Sequence, residues 1–145
     1  VDNVEIRRLK KEDAIEISRI YAAITMKPVN EDFKRVVEDH STRDNEACFV
    51  AEIQGKVVGF MISYILTAGF GEAKSAWIAI LGVDPHFMGQ GIGATLATEI
   101  FSFYKAEGIE NVYTSVRWDS TDMLSFFKTL GFDRSNFINL RKIIG

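Results

Sequence analysis

A chain of 145 residues, 47% hydrophobic and 26% charged, is long enough for one domain with a sizeable core and too short for two. Its composition is that of a folded chain rather than a disordered one, and a formal charge of -3 supplies no basic stripe for nucleic acid. One cysteine, Cys48, excludes an internal disulfide and a Cys/His metal cluster.

Neither end reads as a signal peptide, and no apolar run approaches the ~20 residues that cross a bilayer. The expectation is a soluble, cytoplasmic domain spanning 1–145, with no metal, membrane or nucleic-acid partner. His40 and His86 share no ligand spacing with carboxylates.

Val4 to Leu9 alternates apolar and charged residues, which predicts a strand with one wet face. Ala14, Ile17, Tyr21 and Ile24 then recur at helical spacing behind acidic Glu12 and Asp13, and Pro28 ends that helix. Asn30 caps a second helix in which Phe33, Val36, Val37 and His40 share a face. Runs 48–53 and 56–64 flank Gln54-Gly55, the pattern of a β-hairpin. A loop with Gly69, Gly71 and Glu72 follows, and then 76–83, apolar throughout as in a central strand covered on both faces.

Next come the turn Gly89-Gln90-Gly91-Ile92-Gly93 and a helix that turns Leu96, Ile100 and Phe103 inward and stops at Gly108. Val112 to Val116 predicts another strand and 120–130 a helix with Met123, Phe127 and Leu130 on one stripe. Ile138 to Ile144 is expected to supply a last strand. The sum is an α/β (α+β) domain, a central mixed sheet of six to seven strands flanked by about four helices, with parallel pairing in the second half.

Glycines at every second position before a helix let the chain curl tightly, and the first-turn amides lack internal partners. Together with the helix dipole they suit an anion, typically a phosphate or diphosphate. A P-loop needs Lys-Ser/Thr after its last glycine, and here Gly93 precedes Ala94-Thr95; a dinucleotide fingerprint needs Gly-x-Gly-x-x-Gly and an acid ending the next strand, whereas Glu110 precedes it. ATP hydrolysis and nicotinamide or flavin binding become minor alternatives.

Three stretches together resemble the GNAT-type, acetyl-CoA-dependent N-acetyltransferases over essentially the whole chain: 78–85, 88–96, and Val116 with 126–132. The resemblance implies a GNAT-like fold in which Leu81, Gly82 and Val83 splay from the neighbouring strand and pair with a pantetheine arm. It implies that the amides of Met88, Gly89, Gln90, Gly91, Ile92, Gly93 and Ala94 cradle the diphosphate of coenzyme A, with Ser120, Phe126 and Phe127 flanking the thioester. Acetyl-CoA would be the cosubstrate and an amine of a small molecule, peptide or protein the acceptor; a homodimer stays open.

The chain departs from that pattern at four places. Met88 stands where Arg or Gln is usual, Phe127 where a Tyr proton donor is usual, Ser120 for Asn, and Trp77 where many relatives place a Glu base. Glu72 is then the nearest acid that could act through water. Tyr64 and Trp118 are candidates for an acceptor groove, and Lys128 for a phosphate contact. Two functions remain open: direct acetyl transfer in a ternary complex, or a non-catalytic module that senses acyl-CoA or CoA.

Overall fold

A computed structural model describes residues 3–69 and 71–145. Five strands form one sheet in sequence order: β1 (Val4–Arg8), β2 (Cys48–Ile53), β3 (Lys56–Gly69), β4 (Glu72–Val83) and β5 (Val112–Thr114). The first four are antiparallel neighbours, and β5 joins β4 in parallel after the crossover helix α3 (Ile92–Ala106). Helices α1 (Ala14–Thr25) and α2 (Glu31–His40) cover one face; α3 and α4 (Thr121–Thr129) cover the other.

The β-strand alternation built these two layers. Val57, Phe60 and Ile62 of β3 face Ile17, Ile20 and Val37 of α1 and α2, while Val58 and Met61 face Leu96, Ile100 and Tyr104 of α3. Asn30 caps α2 as expected, its Oδ1 accepting from the amides of Asp32 and Phe33 at 2.8 and 3.1 Å.

Three expectations are corrected. The six to seven strands are five among the described residues, because Ile138 to Ile144 joins no ladder. The loop around Gly69 and Glu72 is instead the tip of a long hairpin, with Gly69 paired to Glu72. β5 ends at Thr114 rather than Val116. Phe103 packs half-buried against the core as expected, and Tyr104 beside it is a fully buried aromatic of α3.

Where β1 meets α1, Asp13 is 6% exposed and accepts from Arg7 Nη1 and Nη2 at 2.8 and 2.9 Å and from the Lys10 amide at 2.8 Å. Burial opposes its ionisation, but these donors outweigh burial and hold its pKa below the usual carboxylate value. A depressed folded-state pKa means stability that is present above the unfolded value near 3.9 and lost as pH falls through the folded one. Asp13→Asn is therefore expected to be less stable than wild type at pH 7, with the difference shrinking toward pH 3. Urea midpoints measured across that range check it.

Candidate functional site

The parallel ladder between β4 and β5 is short. It pairs Ala76 with Val112, Trp77 with Tyr113 and Ile78 with Thr114, and then stops. At that point β4 carries an extra residue: Ile80 pairs with Ile62 and Ile78 with Ser63, leaving Ala79 as a bulge. The Thr114 hydroxyl closes the last rung by donating to the Ile78 carbonyl at 3.0 Å. From Ala79 to Val83 the strand keeps β3 on one side and, among the described residues, has no strand on the other.

Backbone groups alternate along that exposed edge. The Asp84 amide donates to the Val58 carbonyl of β3 at 2.8 Å, so the amides of Val83 and Leu81 turn to the side β5 has left. Gly82 sits between them under α1, where a Cβ would meet Ile24 Cδ1 at 2.8 Å and Phe60 Cε1 at 2.9 Å.

The start of α3 lies over this strand end. Gly59 pairs with Val83, and a Cβ at Gly59 would touch Ile92 Cγ2 at 3.0 Å; the missing side chain lets the first residue of α3 seat directly above that pair. Gly89 and Gly91 both adopt φ of 79°, with open space where a side chain would stand. Among the described residues no amide from Met88 to Ala94 donates to a protein acceptor; the first bond of the helix runs from the Thr95 amide to the Gly91 carbonyl at 3.0 Å. No acidic residue occupies the first turn of α3, so the dipole and the unspent amides leave a positive potential there.

A third element closes the corner. A Cβ at Gly93 would meet the Phe126 ring of α4 at 3.1 Å, so α4 lies against the N-terminus of α3, with Ser120 as its N-cap. Phe127 lies beneath, 4% exposed and edge-on to Phe126 and Phe132. Met88 is 61% exposed, and Gln90 is also exposed. The expected phosphate-turn residues, the strand end 81–83 and the start of α4 are thus brought to one corner.

Two expected residues lie elsewhere. Glu72 begins β4, roughly 20 Å along the strand from the end of the β5 pairing at ~3.3 Å per residue. It accepts from the Tyr113 hydroxyl at 2.9 Å and from Asn111 Nδ2, so it is not placed to reach the vacated edge through one water. Trp77 faces the α1/α2 side in a stack with Tyr64 and Tyr113, ring centroids 6.5 and 4.9 Å away, and its Nε1 donates to Ser75 Oγ at 3.1 Å. Trp118 is 86% exposed on the segment that follows β5.

Sequence reading passed over three features of this corner: the Ala79 bulge, the Thr114 hydroxyl and the Gly59–Ile92 contact. Only the last had a signal, a glycine inside an otherwise apolar strand. A bulge in an unbroken apolar run has none.

Comparison with known proteins agrees with this geometry. The chain is 31% identical over 99 residues to an uncharacterized N-acetyltransferase of Methanocaldococcus jannaschii; the match spans 66% of this chain and 43% of that protein. It superposes on an aminoglycoside acetyltransferase from an uncultured soil metagenomic sample, solved with sisomicin, with a TM-score of 0.82 and 25% identity over 99% of this chain and 98% of that one. Aminoglycoside N-acetyltransferase AAC(6')-Iy in complex with CoA shares the fold, with a TM-score of 0.81 at 16% identity over 97% and 94% of the two chains. Residues 14–132, which run from the start of α1 past the end of α4, match the acetyltransferase (GNAT) family over most of the chain, and the chain belongs to that family.

Proposed function

We propose that this chain transfers an acetyl group from acetyl-CoA to a primary amine of a small molecule, peptide or protein, by direct attack in a ternary complex. The observation that carries the reading is the set of unspent amides from Met88 to Ala94, seated above the strand end whose Leu81 and Val83 amides also face open space. A diphosphate suits the first group and an extended amide-bearing pantetheine arm the second, which together describe coenzyme A. Backbone donors serve the phosphates, so Met88 in place of a polar side chain weakens the cradle without removing it.

The chemistry asks little of side chains. A lysine-type amine with pKa ~10.4 is neutral at pH 7 in roughly one molecule in two thousand, and an α-amine near ~8 in about one in ten. An acceptor of low amine pKa can therefore attack without a dedicated base, consistent with Trp77 in the usual Glu position and Glu72 held at the far end of β4. The amine lone pair bonds to the acetyl carbonyl carbon, the Val83 amide stabilises the oxygen as it gains charge, and collapse expels the thiolate while the ammonium loses its proton to water. A thiol with pKa ~8.5 leaves as thiolate without a proton donor, so Phe127 is compatible with turnover.

The test is thiol release from acetyl-CoA over a panel of α-amines, polyamines, lysine peptides and aminoglycosides. Release with at least one acceptor, and no acetyl label retained on the unfolded protein, is the expected result. Tight CoA binding with no release for any amine would favour the sensing module, the reading to which the absent hydroxyl at Phe127 points. CoA is expected to raise the melting temperature and NAD or ATP to leave it unchanged.

The assay has a built-in control. Cys48 is 1% exposed and burial pushes its thiol up to about 11, so the native chain is expected to give no titre with a disulfide reagent at pH 8, and one thiol per chain once unfolded. Any native-state titre above a few per cent contradicts that.

A further inference from the structure

The parallel ladder between β4 and β5 stops one rung short of where its own geometry would carry it. The Ala76 amide donates at 3.2 Å to the carbonyl of Asn111, the residue before its partner Val112. Two residues on, the same slant directs the Ile78 carbonyl to the amide of the residue after its partner Thr114, which is Ser115. That rung is not made. Among the described residues no backbone bond joins the Ser115 amide to Ile78, and the carbonyl takes the Thr114 hydroxyl at 3.0 Å.

The two donors belong to adjacent residues of one strand and approach the carbonyl from the same side, so the hydroxyl keeps the Ser115 amide off it. The place where this happens matters. Past Ile78 comes the Ala79 bulge, and the next amide turned to the open side is that of Leu81. One added rung would bring the chain at Ser115 to a strand's spacing, about 4.8 Å, from β4 on the approach to Leu81. An extended pantetheine arm that pairs with the Leu81 amide needs that same width.

We propose that Thr114 is a positioning residue: its hydroxyl caps the Ile78 carbonyl, ends the ladder, and holds open the apex of the slot between β4 and β5. The consequence for coenzyme binding rests on the acetyl-CoA reading above; the cap itself does not. Valine fits the same half-buried place and keeps the strand propensity, but it has no hydrogen to donate. In Thr114→Val the Ile78 carbonyl is therefore left to the Ser115 amide, because a backbone acceptor turned into the fold takes the donor within reach. The ladder then closes by a rung. Serine retains the hydroxyl and with it the cap.

Amide hydrogen exchange by NMR, calorimetric titration with CoA and thermal unfolding, run on wild type, Thr114→Val and Thr114→Ser, test this. In Thr114→Val the Ser115 amide is expected to exchange at least ~10-fold more slowly, and CoA to bind about 10-fold more weakly, the worth of one lost hydrogen bond. Its melting temperature should stay within about 2 °C of wild type, since one rung replaces one side-chain bond. Thr114→Ser should match wild type in all three. A threonine that only stabilised its strand would lower the melting temperature without slowing Ser115, and that result overturns the proposal. So does a slowed Ser115 amide with CoA affinity unchanged, because the ladder would then not bound the slot. Wild type that binds no CoA would overturn the coenzyme reading and the slot with it, while a slowed Ser115 amide in Thr114→Val would still uphold the cap, which keeps the two failures apart.

Discussion

Gly91→Val is expected to raise the dissociation constant for CoA about 100-fold while leaving the chain folded. Gly91 has φ of 79° and caps α3 in the left-handed region, where a side chain costs about 1–2 kcal/mol and a β-branched one more. No heavy atom lies within 4 Å of a Cβ built there, so the protein meets no clash, and a valine adds bulk and backbone strain in the middle of the run of unspent amides. Each amide withheld from a phosphate oxygen forfeits a charge-assisted hydrogen bond of about 1.5–3 kcal/mol, so losing one or two accounts for a factor near 100.

Gly108→Val separates the two effects. Gly108 also has positive φ, 77°, and open space around it, but it follows the other end of α3. Both variants should lose a similar few degrees of melting temperature, and only Gly91→Val should lose CoA affinity by isothermal titration calorimetry. If Gly91→Val binds CoA within threefold of wild type, the diphosphate does not sit on this turn.

The parts of this site carried by local chemistry were legible before any coordinates. Glycines spaced before a helix require a curled backbone with unspent amides, and an unbroken apolar run requires a strand covered on both faces, so the turn and β4 could be placed from residues alone. What the run could not disclose is where β5 stops. That depends on the Ala79 bulge and on the Thr114 hydroxyl meeting the Ile78 carbonyl, both of which are relations between strands. Glu72 failed for the same reason: the hairpin tip it occupies is set by pairing across 69–72, and pairing carries it away from the vacated edge. The 138–144 run was expected to be a strand from its composition, and among the described residues it joins no ladder. Strand propensity in such a run reflects packing against neighbours more than the backbone itself.

Helical spacing placed Phe103 against the core but did not single out its neighbour Tyr104, which supports the second large effect. Tyr104→Phe is expected to destabilise the chain by about 2–3 kcal/mol, because a buried amide loses its acceptor. The Tyr104 hydroxyl accepts from the Ala47 amide at 3.0 Å and lies 2.7 Å from Ser63 Oγ. Ser63 Oγ donates to the Ala47 carbonyl, so its proton is committed and the Tyr104 hydroxyl must donate to it. The result is a closed cycle of three hydrogen bonds joining α3, the entry to β2 and the middle of β3, with all three residues fully buried. Burial raises the phenol pKa, which keeps the donor protonated over the working range of pH.

Phenylalanine keeps the ring packed edge-on against Phe103, with centroids 5.3 Å apart, so the loss isolates the hydroxyl from the packing around it. At about 4 °C per kcal/mol for a domain of this size, the melting temperature should fall by roughly 8–12 °C. Ser63→Ala breaks the same cycle, and the double variant should lose clearly less than the sum of the two, by at least ~0.5 kcal/mol in a double-mutant cycle. Strict additivity would mean that the three groups act independently and that no cycle ties α3 to the sheet. Because α3 carries the amide turn at its other end, Tyr104→Phe should lower melting temperature while leaving CoA affinity at a temperature well below the transition within about twofold of wild type.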